Sequence, residues 1–468
     1  MKKNDVLQGI ITGYGSEGEG VVKSDGFVIF LPFALKGEKV EFKILKVAKN
    51  VAYGKLERII EKSDERVEPQ CPVFGKCGGC RLLHMSYPAQ LEYKRGLIAS
   101  SLSKIAFCET EVMPTEPSEP NVRYRNKLQL PLRRVDGRNV VGFFAPDSHR
   151  VVETNDCLIQ GKWCVSAISA IKEYAEKFDV QFYDESADNG LIKHLLVKKV
   201  DESFLVCLVA KKDKIPHPTE LAEFFMSKLG SRNLTLTLNV NPRRTNAVLG
   251  EKTIVLYGSG VDYGRQFGIT YGVGTESFIQ VNDDVKQKLY RDALLAAIAE
   301  NPSLVVDAYC GSGLLTALLA EKAKKVVGVE IVREAVDNAV RLAEVNGISN
   351  AEFICAPCEE VLPNVVRRAD GDAVVVLDPP RKGVDKRFIA ALLSSKIKKI
   401  VYISCNHATL ARDVGLLTEK LVYDGNALVK NVEETAPRSG VFTVESVKGY
   451  DMFAGCTGVE TLCVLVRS

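Results

Sequence analysis

Val305-Val306-Asp307-Ala308-Tyr309-Cys310-Gly311-Ser312-Gly313 decides the fold. Residues 304–307 are an apolar, largely β-branched run that reads as a strand. The glycines read as a turn, and 314–322 as the helix that follows it. In an open parallel sheet, ligands sit at the carboxyl ends of the strands. Gly311 and Gly313 let the backbone approach such a ligand with no side chain in between. The third glycine of a dinucleotide fingerprint is missing, because Thr316 holds its place. Residues 325–330 form the next strand and end in Glu330, 23 residues after Asp307. A carboxylate at that tip can accept both hydroxyls of an adenosine ribose. Loop and acid together fit S-adenosylmethionine or a dinucleotide and do not separate the two.

Downstream the same texture continues. A helix is expected at 335–346, with strands at 373–378 and 399–404. Short, nearly all-apolar strands alternating with helices imply a parallel sheet covered on both faces. The strand at 373–378 runs into Asp378-Pro379-Pro380-Arg381, where two prolines stiffen the backbone behind a carboxylate. The strand at 399–404 runs into Ser404-Cys405-Asn406. A core cysteine would sit within the apolar run. This one sits past the strand tip among polar residues, which makes Cys405 a nucleophile candidate beside a cofactor pocket.

Upstream, residues 122–260 alternate expected strands (127–132, 140–144, 191–200, 203–210, 234–240) with a helix at 162–178. This is an α+β region. The first 60 residues read as five or so short strands with a glycine-rich turn at 13–20, a small barrel. Ten Lys and Arg against seven Asp and Glu leave that segment at +3. On charge alone, an oligonucleotide-binding barrel and a purely structural one both remain open. A polar linker follows at 61–70, and 88–105 has helical spacing with Leu91, Leu97, Ile98 and Leu102 on one side.

The 468 residues imply about three domains. No apolar run approaches the roughly 20 residues of a membrane span, and Met1–Val6 starts no apolar signal segment. A cytoplasmic protein with no membrane contact is expected. Net charge is only +3, so nucleic-acid contact has to come from local patches. Arg123-Tyr124-Arg125-Asn126-Lys127 is one such patch, with cations for phosphates and an aromatic to stack a base. A charged strand face is the plainer reading.

Thirteen cysteines do not suggest a disulfide framework. Cys71-x5-Cys77-x2-Cys80 has metal-site spacing, with Gly78 and Gly79 letting the chain wrap closely, and Cys157 is available as the fourth ligand. Spacing alone fits zinc and an iron–sulfur cluster equally. Cys108, Cys164, Cys207, Cys355, Cys358, Cys456 and Cys463 read as small buried hydrophobes.

Taken together, these residues resemble the bacterial RNA uracil-5 methyltransferases, in particular the iron–sulfur 23S ribosomal RNA branch. The likeness covers nearly the whole chain. Residues 307–313 match that family's cofactor loop, Phe278-Ile279-Gln280-Val281-Asn282 the opening of its methyltransferase domain, and 378–381 its acidic loop. Ser404-Cys405-Asn406 with Ala408–Asp413 matches its nucleophile motif. The resemblance implies a TRAM RNA-binding barrel (OB-like) at 1–61. It implies a central α+β domain with an iron–sulfur site at 62–270, the 88–105 helix packing on the next domain. It implies a Rossmann-like α/β methyltransferase domain at 271–468.

By that match, Gln280, Tyr309, Glu330 and Asp378, with the backbone at Gly311 and Gly313, bind S-adenosylmethionine. Cys71, Cys77, Cys80 and Cys157 hold a 4Fe-4S cluster, with zinc as the alternative. Arg123, Arg125 and Lys127 contact RNA, expected to be 23S ribosomal RNA, and the chain acts as a monomer. Cys405 attacks uracil carbon 6 and Glu460 removes the carbon 5 proton. His407 stands where the family has proline, and Gly455 and Gly458 where it has histidine. The rival readings are a transfer RNA enzyme with the same chemistry, a non-catalytic RNA-binding protein, and a dinucleotide-dependent iron–sulfur oxidoreductase.

Overall fold

The computed structural model describes residues 1–24, 26–425, 427–431 and 441–468. Its organising element is an eight-stranded sheet. In spatial order the strands are Ala351–Cys355, Val326–Glu330, Leu304–Ala308, Ala373–Leu377, Ile397–Ser404, Glu460–Arg467, Phe442–Tyr450 and Met113–Glu116. The first five are mutually parallel. Chain order runs outward from Leu304–Ala308 in one direction and then restarts on its other side with Ala373–Leu377. That reversal opens a crevice beyond the strand tips. Runs such as Val374-Val375-Val376-Leu377 are buried throughout because helices cover both faces.

The antiparallel strand Glu460–Arg467 lies against Ile397–Ser404 with Ser404 opposite Thr461. Extending that register by one residue sets Cys405 beside Glu460, 55 positions away in the chain. The helix Tyr87–Lys104 packs on helix His407–Leu417 and on Phe442–Tyr450. Residues 87–116 therefore build part of the layer around the eight-stranded sheet, although they precede the central region in sequence. The helix is only weakly amphipathic, since its buried residues include Gln90, Lys94 and Ser101 beside Tyr93, Ile98 and Leu102.

The central region is a seven-stranded sheet from Lys127–Val135 to Lys252–Tyr257. Helices Trp163–Lys177 and Pro218–Leu229 pack on it around a single apolar core. At the N-terminus six strands, Val6–Ile10 to Val51–Glu61, form one curled sheet around Ile11, Ile29, Leu31, Val40 and Phe42. The segment at 61–70 is pinned to it: Arg66 donates to Glu38 Oε2 (2.9 Å) and to the Phe33 carbonyl (2.7 Å). Among the described residues, no helix is long and apolar enough to cross a membrane.

Candidate active site

Tyr309, Gly311 and Gly313 all have left-handed backbone (φ 66°, 53° and 83°), which curls the loop back over the tip of Leu304–Ala308. At Gly313 a Cβ would also lie 2.7 Å from that of Ala339, so helix Arg333–Val345 can approach only a glycine. At Gly311 a Cβ would meet nothing within 4 Å, so that face of the loop is open. Thr316, in place of a third glycine, donates its hydroxyl to the buried Asp307 (2.6 Å). Burial pushes Asp307 up to about 7.

Glu330 is fixed in place by backbone donors. Oε1 accepts from Ile331 and Val332 N–H (2.8 and 2.9 Å), and Oε2 accepts from Gly311 N–H (3.2 Å). Ile331 and Val332 are 65% and 54% exposed. An apolar pair left bare beside an anchored acid suits the flat face and ribose of an adenosine group. Gln280 is buried, and its carbonyl accepts from Asn126 Nδ2 (3.0 Å). Asn282 caps helix Asp283–Ile298 through Val285 N–H. Tyr290, two turns into that helix, lies beside Gln280 and feels the charges of Asp378, Asp307 and Glu460.

Asp378 and Glu460 face the same crevice. Burial pushes Asp378 up to about 7. Burial first, then the Asp378 charge, pushes Glu460 up to about 8, against the pull of Arg381. Cys405 is half-buried, and its thiol is pushed up by burial and by Glu460 while Arg381 lowers it. The geometry thus gathers a thiol, two carboxyls raised to about neutral pH or above, and a guanidinium. Arg381 is held by its own carbonyl, which accepts from Thr409 Oγ1 (3.2 Å) and Asn406 Nδ2 (3.4 Å). Arg412 donates to the Lys382 carbonyl (3.0 Å), and the buried Asp413 accepts from Tyr402 (2.7 Å) and Val384 N–H (3.1 Å). Helix His407–Leu417 thereby latches the 378–384 loop. His407 bonds Ser101 of helix Tyr87–Lys104 (2.7 Å).

The loop that carries Glu460 is braced from far away. Asp451 and Lys94 form an ion pair with both side chains wholly buried. Tyr87 also donates to Asp451 (2.8 Å), and Lys94 to the Phe453 carbonyl (3.1 Å). Gly455 has φ 80°, which explains a glycine there; its N–H donates to Gln90 and its carbonyl accepts from Arg81 and Leu82 N–H. The cysteine segment is therefore hydrogen-bonded directly to the Glu460 loop.

Cys71, Cys77, Cys80 and Cys157 line one cavity of about 380 Å³, together with Arg125 and Lys127. Among the described residues, no three His, Cys, Asp or Glu side chains converge as ligands of a single metal ion. The expectation for the scattered cysteines needs correcting: Cys355 and Cys456 are only half-buried. Cys456 lies against Cys80 and donates to the Gly79 carbonyl (3.4 Å). The expected basic patch also turns inward. Arg123 pairs with both oxygens of Asp156 (2.6 Å each) and with the Cys157 carbonyl. Tyr124 is 8% exposed and donates to the Ala454 carbonyl, so its ring cannot stack a base. These positions brace the cysteine loop: Arg123 and Arg125 N–H donate to the Leu158 and Ile159 carbonyls, and Asn126 N–H to that of Val281.

The spacing of the motifs pointed to Cys405 and the cofactor loop, with Glu460 reached only through the family resemblance. It gave no signal for Tyr290, Ile331, Val332, Lys94 or the Cys456–Cys80 contact. Arg381 was legible only as a neighbour of Asp378.

A strand reversal, a backbone-anchored acid and an open glycine loop make a nucleoside-type site, and the family match makes the chain an S-adenosylmethionine-dependent RNA methyltransferase whose N-terminal sheet matches the TRAM domain at residues 5–56. Residues 87–442 match the tRNA (Uracil-5-)-methyltransferase family, and the chain belongs to that family. It is 41% identical over 423 residues to an uncharacterized RNA methyltransferase of Clostridium tetani, covering 90% of this chain and 91% of that one. One from Halalkalibacterium halodurans is 36% identical over 99% of this chain and 98% of its own length. The solved structure of Pyrococcus abyssi tRNA (uracil-54, C5)-methyltransferase in complex with S-adenosyl-L-homocysteine is similar with a TM-score of 0.75. It is 25% identical and covers 98% of this chain and 100% of that one.

Proposed function

We propose that this enzyme methylates carbon 5 of a uridine in 23S ribosomal RNA, with Cys405 as covalent nucleophile and Glu460 as the base. The observation that carries this reading is the strand register that sets Cys405 beside Glu460 at the mouth of the crevice. Uracil carbon 5 is a weak nucleophile. Addition of the Cys405 thiolate to carbon 6 makes the ring an enolate with carbanion character at carbon 5. S-adenosylmethionine supplies the methyl group as a sulfonium. Gln280, Tyr309, Glu330, Asp378 and the Gly311 and Gly313 backbone hold it. Glu460, once ionised, takes the carbon 5 proton, and elimination then frees Cys405. A sulfonium bound near Asp378 and Glu460 favours their charged forms, so cofactor binding readies the base. The target base must leave its stack to reach the thiol, which favours a uridine in a loop.

Cys71, Cys77, Cys80 and Cys157 are proposed to hold a 4Fe-4S cluster. Zinc requires all four sulfurs about 2.3 Å from one point, whereas these thiols ring a cavity with room for a larger group. Arg125 and Lys127 at its wall suit a thiolate-bound anionic cluster. The cluster would supply a rigid, charged cross-link between the cysteine loops. A brown preparation with broad visible absorbance supports it, and a colourless anaerobic preparation with stoichiometric zinc overturns it.

The ribosomal assignment, for an enzyme acting as a monomer in the cytoplasm, rests on the cysteine cavity and the TRAM domain occurring together. Transfer RNA is the second reading, favoured by the similarity to the Pyrococcus abyssi enzyme. Incubation with labelled methyl donor and unmodified total RNA, followed by mapping, decides between them: label in ribosomal RNA supports the first reading, label in transfer RNA the second.

A further inference from the structure

A second cleft, of about 450 Å³, opens on the central sheet away from the methyl-transfer crevice. Trp163, the sole tryptophan of the chain, starts helix Trp163–Lys177 and forms one wall, only half-buried. Its ring meets Phe204 edge-on, with centroids 5.8 Å apart. The indole folds back over Gly161, where a Cβ would lie 2.2 Å from Nε1, so this pose requires glycine there. Besides the acidic Glu202 and residues 229–231, the rest is lined by Lys199, Arg232 and Asn233. None of these three side chains, nor the indole N–H, has a hydrogen-bond or ion-pair partner among the described residues.

The floor is preorganised. Ser231 Oγ donates to the Glu202 carbonyl (3.0 Å) and accepts from Asn233 N–H (3.2 Å), and Phe204 N–H donates to the Asn233 carbonyl (3.0 Å). A half-bare aromatic on a rigid floor, with unpaired cations and a free amide around it, is chemistry that takes a π-face, a polar edge and a phosphate together. The volume falls in the range of a ligand site. The cleft is also tied to the cofactor segment. Lys199 N–H donates to the Asn126 carbonyl, and Asn126 in turn holds Gln280.

We infer that this cleft binds an unstacked nucleobase of the RNA, with its phosphate on Lys199 and Arg232, as an anchor remote from the reacting uridine. The inference rests on the chain being an RNA methyltransferase and adds a second contact point for the strand.

The single tryptophan provides the test. The full-length protein is titrated with a single-stranded RNA decamer of mixed sequence while indole emission is read and binding is followed by filter retention. Emission falls saturably in step with binding. Trp163→Ala and Arg232→Glu each weaken binding about tenfold, and Trp163→Phe retains most of the affinity, which separates stacking from folding. RNA that binds without altering emission, or an Arg232→Glu protein that binds as tightly as wild type, overturns the anchor. Methyl transfer to RNA by the wild-type protein is assayed alongside. Its absence would fail the enzymatic reading, whereas normal transfer with silent emission fails only the anchor.

Discussion

The crevice and the cysteine cavity both turn on sulfur, yet they hold it in different ways. At the crevice a single thiol stands at a strand tip among carboxyls, placed by the register of an adjoining antiparallel strand. In the cavity four thiols come from loops, and the nearby charges are Arg125, Lys127 and an Asp156 already paired with Arg123. Burial first, then Glu460, raises the pKa of the lone thiol, and burial likewise raises Cys77 and Cys157, so in both places the protein alone favours thiols and a bound partner has to draw out the thiolate. Residue type is the same in both places, and charge and backbone decide the chemistry. The two regions also touch, because Gly455 and Cys456 bond the 79–82 segment.

The sharpest way to break this contrast is to remove the lone sulfur. Cys405→Ala is expected to lower methyl transfer by at least about a thousandfold, measured with labelled donor; substantial residual turnover would remove the proposed mechanism. Glu460→Gln should slow turnover about a hundredfold and accumulate a protein–RNA adduct visible on a denaturing gel. A normal rate would clear Glu460 of the role.

The brace between the regions comes next. Lys94→Met leaves the Asp451 charge buried and unpaired, at an expected cost of about 3–5 kcal/mol in urea unfolding. Adding Asp451→Leu should recover much of that loss, and additive losses would deny the pair its role. A subtler test uses pH. Asp307, Asp378 and Glu460 have folded pKa values raised above the ordinary carboxylate value by burial. Their contribution to stability is full below the unfolded pKa and is lost as pH rises through about 7 to 8. The cofactor-free protein should therefore melt a few degrees lower at about pH 9 than at about pH 5, with a smaller drop in Glu460→Gln. On the cavity side, Cys80→Ser should lose the visible absorbance, whereas Cys456→Ser should keep nearly all of it. The reverse pattern would make Cys456 the ligand.

Much of the central sheet was legible because its strands are apolar runs or strict apolar–polar alternations: 203–210 and 234–240 were expected and found with the same bounds. Helix Pro218–Leu229 went unread, although Pro218 stands at its start. Helix Tyr87–Lys104 was legible as a helix, but its buried Lys94 and Gln90 make sense only beside Asp451 and Gly455. The basic run at 123–127 read as a surface patch because charge carries no direction until the chain folds around it.

The sequence by itself determined the strand-and-turn grammar of the cofactor loop, the thiol beyond a strand tip and the grouping of three cysteines. These follow from steric and hydrophobic preferences acting within a few residues. Only the tertiary structure decided that Glu460 lies beside Cys405, that Cys456 touches Cys80, and that Arg123 braces a loop. Those facts depend on strand register and domain packing, which bring together residues up to several hundred positions apart.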